Sequence, residues 1–266
     1  MLLAMTTYAY LHRLDLREAL GDIADAGFRG VEISTAPPHI FTPGVGQVER
    51  SQLRRFISEL GLQCVSVNAA ELNLISPNPD ISGLALQHYL ATIRLAHDLA
   101  VDLAVVVPGR QNVLAPTPHA DALSALQMQL EALLPEAERL GVRLALETSP
   151  YGFMQRVEDV CEVVVRFDSP LLGIAIDCAN VLAVQDPADA VHLGAEHLFI
   201  AHLSDTWKDR FAHTSIGRGE VDFRSYAAAL AEVQFTGPSV YELVDGEDPV
   251  GRIREDRKFL IQCGWD

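Results

Sequence analysis

"RLALETSP", residues 143–150, is an apolar run with strand character that stops on a bare carboxylate, Glu147. Three later runs end in the same manner. "LLGIAIDCAN" (171–180) closes on Asp177, "LFIAHLSD" (198–205) on His202, and "GPSVYELVD" (237–245) on Glu242. One charged residue at the end of an apolar run is ordinary. Four successive runs that end this way require a common cause, and that cause lies in how the runs are arranged in space.

Read for periodicity, the chain alternates short β-branched or apolar runs with longer amphipathic ones. Strands are predicted at 2–8, 30–35, 63–69, 103–108, 143–148, 173–178, 198–204 and 239–244. Each gap is long enough for a crossover helix, as parallel pairing demands. "DLREALGDIADAGFRG" (15–30), "VERSQLRRFISELGLQ" (48–63) and "ALLPEAERLGVR" (132–143) each run as an amphipathic helix to a stop at Gly27, Gly61 or Gly141. A β-run follows each of the three, which is the pattern of an αβ loop. Eight strands with their crossovers predict a closed (β/α)8 TIM barrel, with a doubly wound open sheet as the alternative. No linker or shift in composition divides the chain, so residues 1–266 are read as a single barrel domain. In such a barrel all strand C-termini meet at one mouth, and neighbouring strand ends lie about 5 Å apart. Glu147, Asp177, His202 and Glu242 close strands five to eight and can point at one spot.

Bulk composition narrows the function. The chain has 266 residues, 49% of them hydrophobic, and a formal net charge of −16. That charge repels phosphate backbones and anionic membranes, which argues against a nucleic-acid partner. No apolar run approaches the ~20 residues needed to cross a bilayer. The start, "MLLAMTTYAYLHRLD", lacks the basic segment of a secretory signal. Cys64, Cys161, Cys178 and Cys263 show no close paired spacing and read as reduced thiols, so a cytoplasmic protein is expected.

Three carboxylates aimed at one small volume repel one another unless a cation lies among them. Three oxygen donors and one imidazole suit one divalent ion, with Mn²⁺ the first choice and Mg²⁺, Co²⁺ or Zn²⁺ also compatible. Glu147, Asp177, His202 and Glu242 are therefore the candidate ligands. A set of unrelated caps and ion pairs is the alternative reading.

The same residues carry a family resemblance that spans nearly the whole chain. "VNAAELNLISPNPD" (67–80), "ALETSPYGF" (145–153), "IDCAN" (176–180), "HLSDTWKDRFAHTSIGRGEVDF" (202–223) and "VYELV" (240–244) resemble, in order, the xylose-isomerase-like barrel superfamily. Its members include ketose 3-epimerases, inosose dehydratases and apurinic endonucleases. The resemblance implies that Glu147, Asp177, His202 and Glu242 hold the metal. It also implies that Glu147 and Glu242 move a proton on carbon beside a carbonyl, with the acid and base roles unassigned. The endonuclease branch needs further histidines where this chain has Asn68, Val107 and Asn180. Its Asp-x-His pair falls on Phe211, Ala212 and His213, so a three-metal cluster is not expected.

The resulting expectation is a metal-dependent isomerase or epimerase of a small polyhydroxylated carbonyl compound. A dehydratase of an inosose-like ketone and a non-catalytic sugar-binding barrel are the alternatives, and homo-oligomerisation is left open. Retention of both glutamates favours an enzyme, since a binding module needs no proton-transfer pair. Substrate contacts are assigned to Asn180, Trp207, Lys208, Arg210 and His213, with His213 placed exposed near the mouth. Asn180 stands where the resembled epimerases carry a substrate-binding histidine, and helix capping is its other reading. Tyr151 and Phe153 could stack on a sugar ring, while Glu71 and Asn73 lie on the mouth side without a role. Gly217 and Gly219 before Asp222 read as a turn and helix cap. A phosphate cradle is the sharper alternative, because barrels often bind phosphate near strands seven and eight.

Overall fold

The computed structural model describes residues 1–69, 72–244 and 249–265. Eight parallel strands close on themselves in sequence order, β8 pairing with β1. They are β1 (Leu3–Thr6), β2 (Gly30–Ser34), β3 (Gln63–Ala69), β4 (Leu103–Val106), β5 (Arg143–Glu147), β6 (Leu172–Asp177), β7 (Leu198–Leu203) and β8 (Ser239–Tyr241). The eight-stranded α/β barrel expected from the sequence is therefore present. Helices cover the outside, among them α1 (Leu16–Asp25), α2 (Gln47–Glu59), α3 (Pro79–Asp98), α4 (His119–Leu140) and α5 (Val157–Phe167). Two helices, α6 (Cys178–Leu182) and α7 (Pro187–Gly194), fill the β6–β7 crossover, and α8 (Phe223–Glu232) and α9 (Pro249–Cys263) flank β8.

Asp15 caps α1 in a reciprocal box with Glu18, and the glycine stops act as read. Gly27, Gly61 and Gly141 take positive φ values of 87°, 71° and 66° after their helices, a conformation that costs a residue with a Cβ.

The two-residue period of the strands sorts side chains into layers. Leu144, Leu146, Ile174, Ile176, Leu203 and Tyr241 point outward into the core beneath the helices. Ala145, Ala175, Ile200 and Val240 point inward and fill the barrel with Ala4, Val65, Leu103 and Val105. Two residues further along these four strands, the inward positions are Glu147, Asp177, His202 and Glu242. The apolar plug is thus the floor on which the charged layer stands.

Of the expected bounds only those of β3 are kept, and the other strands shift or end short by one to three residues; β7 runs one residue past His202, and β8 stops at Tyr241, one residue before Glu242. Glu242 still continues the ladder direction, because its amide donates to the Leu203 carbonyl at 2.9 Å. The side chains therefore keep their inward phase although the ladders end unevenly. Glu71 lies outside the described residues. Among the described residues, no helix is long and apolar enough to cross a membrane.

Candidate metal centre

Donor atoms of Glu147, Asp177, His202 and Glu242 all lie within 4.8 Å of one another, and all four residues are buried. His202 Nδ1 is 2.8 Å from Glu147 Oε1 and 3.9 Å from Glu242 Oε2. Asp177 doubles as the cap of α6: its Oδ1 accepts the amides of Ala179 at 2.6 Å and Asn180 at 3.1 Å. The Ser204 hydroxyl donates to both Asp177 oxygens, at 3.2 and 3.4 Å. These bonds fix the carboxylate before any ligand arrives.

The electrostatics fit a cation. Burial pushes the Glu147 carboxyl up to about 7; His202 opposes that rise, and Glu242 and Asp177 add to it. Burial disfavours charge on His202, yet Glu32 and Glu147 hold its proton well above the ordinary imidazole range. An ion-free cluster therefore traps protons that a divalent cation would replace. Three carboxylates and one imidazole nitrogen converging within this distance could hold such an ion.

A cavity of about 320 Å³ opens above the cluster, lined in part by Tyr8, Asn68, Glu147, Asn180, His213 and Glu242. His213 is not on the exposed rim. Its side chain is 12% exposed, with Nδ1 3.4 Å from Glu242 and Nε2 3.7 Å from Asp177. Burial opposes its charge, but Asp177 and Glu242 raise it to about 9. Phe211 packs edge-on against it at 5.2 Å and roofs that side of the mouth. Asn180 donates its amide to the Thr148 carbonyl at 2.9 Å, and its Oδ1 lies 3.2 Å from His213 Nε2. Asn180 thus faces the cavity, while Asp177 does the capping.

Lys208, Arg210 and Trp207 are not among the residues that line this cavity. Arg210 stacks on the Trp207 ring at 3.9 Å, and the Lys208 amide donates to Glu220. Phe153 is buried away from the mouth, whereas Tyr151 lines it beneath the Arg110 guanidinium, 5.2 Å from its ring centroid. Asn73 holds the loop that carries Arg110, through Nδ2 to the Arg110 carbonyl at 3.2 Å.

The glycine turn after β7 is filled from within. Asp205 is fully buried and accepts the amides of Gly217 and Gly219 at 2.8 Å, Thr206 at 2.9 Å and Val221 at 3.2 Å. A Cβ on Gly219 would collide with Asp205 and Thr206. The amides that would cradle a phosphate already cradle a carboxylate. Asp205→Ala is expected to destabilise the fold by about 3 kcal/mol or more, because four buried donors lose their acceptor. Urea denaturation checks this; a loss below about 1 kcal/mol would show that water replaces the carboxylate.

Sequence reading gave no role to several groups in and behind the cavity. Glu32 is fully buried in β2 and meets His202 Nε2 at 3.2 Å, while Ser66 and Asn68 donate to it at 2.8 and 3.4 Å. Burial alone would raise Glu32, but His202, Ser66 and Asn68 outweigh it and keep the carboxyl below its ordinary range. Asn68 Oδ1 and Thr148 Oγ1 are buried at the cavity without a hydrogen-bond partner. A second hollow of about 520 Å³ lies at the opposite end of the barrel, near Gln63, Asp102, Arg143 and Phe199. It holds none of the cluster, and that end of a barrel serves stability.

The chain matches the xylose isomerase-like TIM barrel family over residues 20–263, and it belongs to that family. It is 28% identical over 214 residues to the 3-oxo-isoapionate decarboxylase of Pectobacterium atrosepticum, covering 77% of this chain and 69% of that protein. With L-ribulose-5-phosphate 3-epimerase UlaE of Salmonella paratyphi C it shares 21% identity over 258 residues, covering 94% and 88%. Among solved structures, a D-tagatose 3-epimerase-like protein superposes with a TM-score of 0.87 at 21% identity, covering 99% of this chain and 97% of the other.

Proposed function

We propose that this member of the xylose isomerase-like TIM barrel family is a divalent-metal-dependent epimerase or isomerase of a small unphosphorylated ketose, working through an enediolate. One observation carries the reading: two buried glutamates, Glu147 and Glu242, converge from β5 and from the end of β8 on the point that Asp177 and His202 also face. A proton taken by one can be returned by the other. The epimerase names of relatives such as UlaE support the same reaction class.

Glu147, Asp177, His202 and Glu242 would hold the ion, with Mn²⁺ the best match to the donor set. A bound divalent ion supplies a Lewis acid that polarises the substrate carbonyl. One glutamate, within reach of the carbon beside that carbonyl, removes its proton, and the electron pair moves onto the carbonyl oxygen. Return of a proton to the opposite face gives the epimer, and return to the neighbouring carbon gives the isomer. His213, set between Asp177 and Glu242 with Nε2 against Asn180, holds Glu242 in place at the cavity. Asn68 Oδ1 and Thr148 Oγ1 are unfilled hydrogen-bonding positions suited to sugar hydroxyls. Phe211 and Tyr151, 5.9 Å apart, shield the site from water.

Two features support a small, neutral sugar. A cavity of about 320 Å³ is at the low end for ligand sites, and Asp205 fills the turn that would otherwise take phosphate. The test is incubation of the Mn²⁺-loaded protein in heavy water with a panel of ketoses and their phosphates, followed by NMR. Deuterium at the carbon beside the carbonyl, together with a new epimer or isomer, is the expected result. No exchange from any sugar would sink the proposal, and preference for phosphates would overturn the neutral-substrate part.

A further inference from the structure

Glu32 has no place in proton transfer as proposed, yet it is a fully buried carboxylate packed directly against the far side of His202. The β2–β3 register shifts between Val31 and Glu32, with Val65 of β3 as the extra residue, and this sets Ser66 opposite Glu32, to which its hydroxyl donates. A fully buried carboxylate is tolerated only when donors satisfy it. Glu32 has three: Ser66 Oγ at 2.8 Å, His202 Nε2 at 3.2 Å and Asn68 Nδ2 at 3.4 Å.

The His202 ring lies between Glu32 and the other carboxylates. Nδ1 faces Glu147 and Glu242; Nε2 faces Glu32. Glu32 therefore cannot share an ion held at Nδ1. What it can do is decide where the ring's proton sits. A neutral imidazole carries one proton, and the nitrogen without it presents a lone pair. An ionised carboxylate accepts and never donates, so a lone pair on Nε2 would face negative charge. With an ion at the cluster in place of the proton shared with Glu147, the ring's remaining proton goes to Nε2, where Glu32 accepts it, and the lone pair is left on Nδ1.

We propose that Glu32 is a positioning residue that locks His202 in its Nε2–H tautomer and thereby makes Nδ1 the metal-binding atom. Ser66 and Asn68 hold the Glu32 carboxylate in the orientation that does this. Carboxylate support of a ligating histidine is a general device for raising metal affinity. The inference rests on the reading that Glu147, Asp177, His202 and Glu242 hold an ion.

The experiment compares wild type, Glu32→Gln and Glu32→Ala after chelator treatment, by calorimetric titration with Zn²⁺ and by ¹⁵N NMR of the histidines in the Zn²⁺-loaded state. Wild type is expected to bind one Zn²⁺ with His202 protonated at Nε2. Glu32→Ala should bind about 10- to 100-fold more weakly. Glu32→Gln keeps a carbonyl that accepts from Nε2–H, so it should fall between the two. Equal affinity of wild type and Glu32→Ala would overturn the inference, as would a Gln variant no better than Ala. If Glu32→Ala fails to fold, the wild-type spectrum still decides, since a proton on Nδ1 contradicts the assignment. No Zn²⁺ uptake by wild type would remove the metal reading itself, a failure distinct from that of Glu32.

Discussion

Glu242→Gln is expected to leave the barrel folded and to lower turnover of a ketose by about 10³-fold, within the range that a positioned acid or base contributes. The substitution keeps the shape of the side chain and an oxygen that can still face the cluster. It removes only the capacity to take up and release a proton. Glu147→Gln should cost as much for the same reason, although it also removes the charge that meets His202 at 2.8 Å. Because the two carboxylates act on one proton in turn, the double variant should be little worse than either single one. Turnover of the epimer and deuterium incorporation are measured at matched metal content, so that lost affinity is not mistaken for lost chemistry. A double variant that keeps activity within tenfold of wild type would end the two-glutamate mechanism.

The fold was legible because every barrel strand shows an apolar run, and three of them, β2, β3 and β5, also follow the glycine stop of a helix. The four clustered residues were legible because they interrupt such runs at their ends, where a barrel collects side chains at one mouth. Glu32 carries the same signal in "GVEIS", a lone carboxylate on an apolar strand. It sits in mid-strand rather than at the end, and the register shift that brings Ser66 opposite it is a property of β2 and β3 together. His213 was read as exposed because its segment is polar. In the folded chain the segment bends back, its Thr214 pairing with Asp205, and carries the imidazole between Asp177 and Glu242. Long-range pairing of that kind leaves no periodic trace. The two glycines after β7 were read as a turn before a helix cap, and Asp222 does cap α8; the alternative of a phosphate cradle fails because Asp205 occupies those amides. A local motif gives the concavity, and only the fold decides what fills it.

Metal uptake should be the second large effect, and its pH dependence is the sharper part. Desalted protein that has been exposed to Mn²⁺ is expected to retain about one ion per chain, and Asp177→Ala to retain none. At a free concentration of 1,000 times Kd, one such ion stabilises the folded state by about 4 kcal/mol. For a chain of this size that raises Tm by about 10 °C. The ion must displace the proton that burial and the neighbouring carboxylates hold on Glu147 up to about 7, and the one that Glu32 and Glu147 hold on His202. Protons win as the pH falls, so apparent affinity should drop by about two decades per pH unit below 7, where both groups are protonated, and by about one decade per unit just above it. The ion-free protein runs the other way. A carboxyl whose folded value is raised contributes stability below the unfolded value and loses it as the pH rises through about 7. The Mn²⁺-induced rise in Tm should therefore be larger at pH 8 than at pH 6. Calorimetry at the two pH values decides this: an equal rise would mean that the ion binds somewhere other than the cluster of Glu147, Asp177, His202 and Glu242.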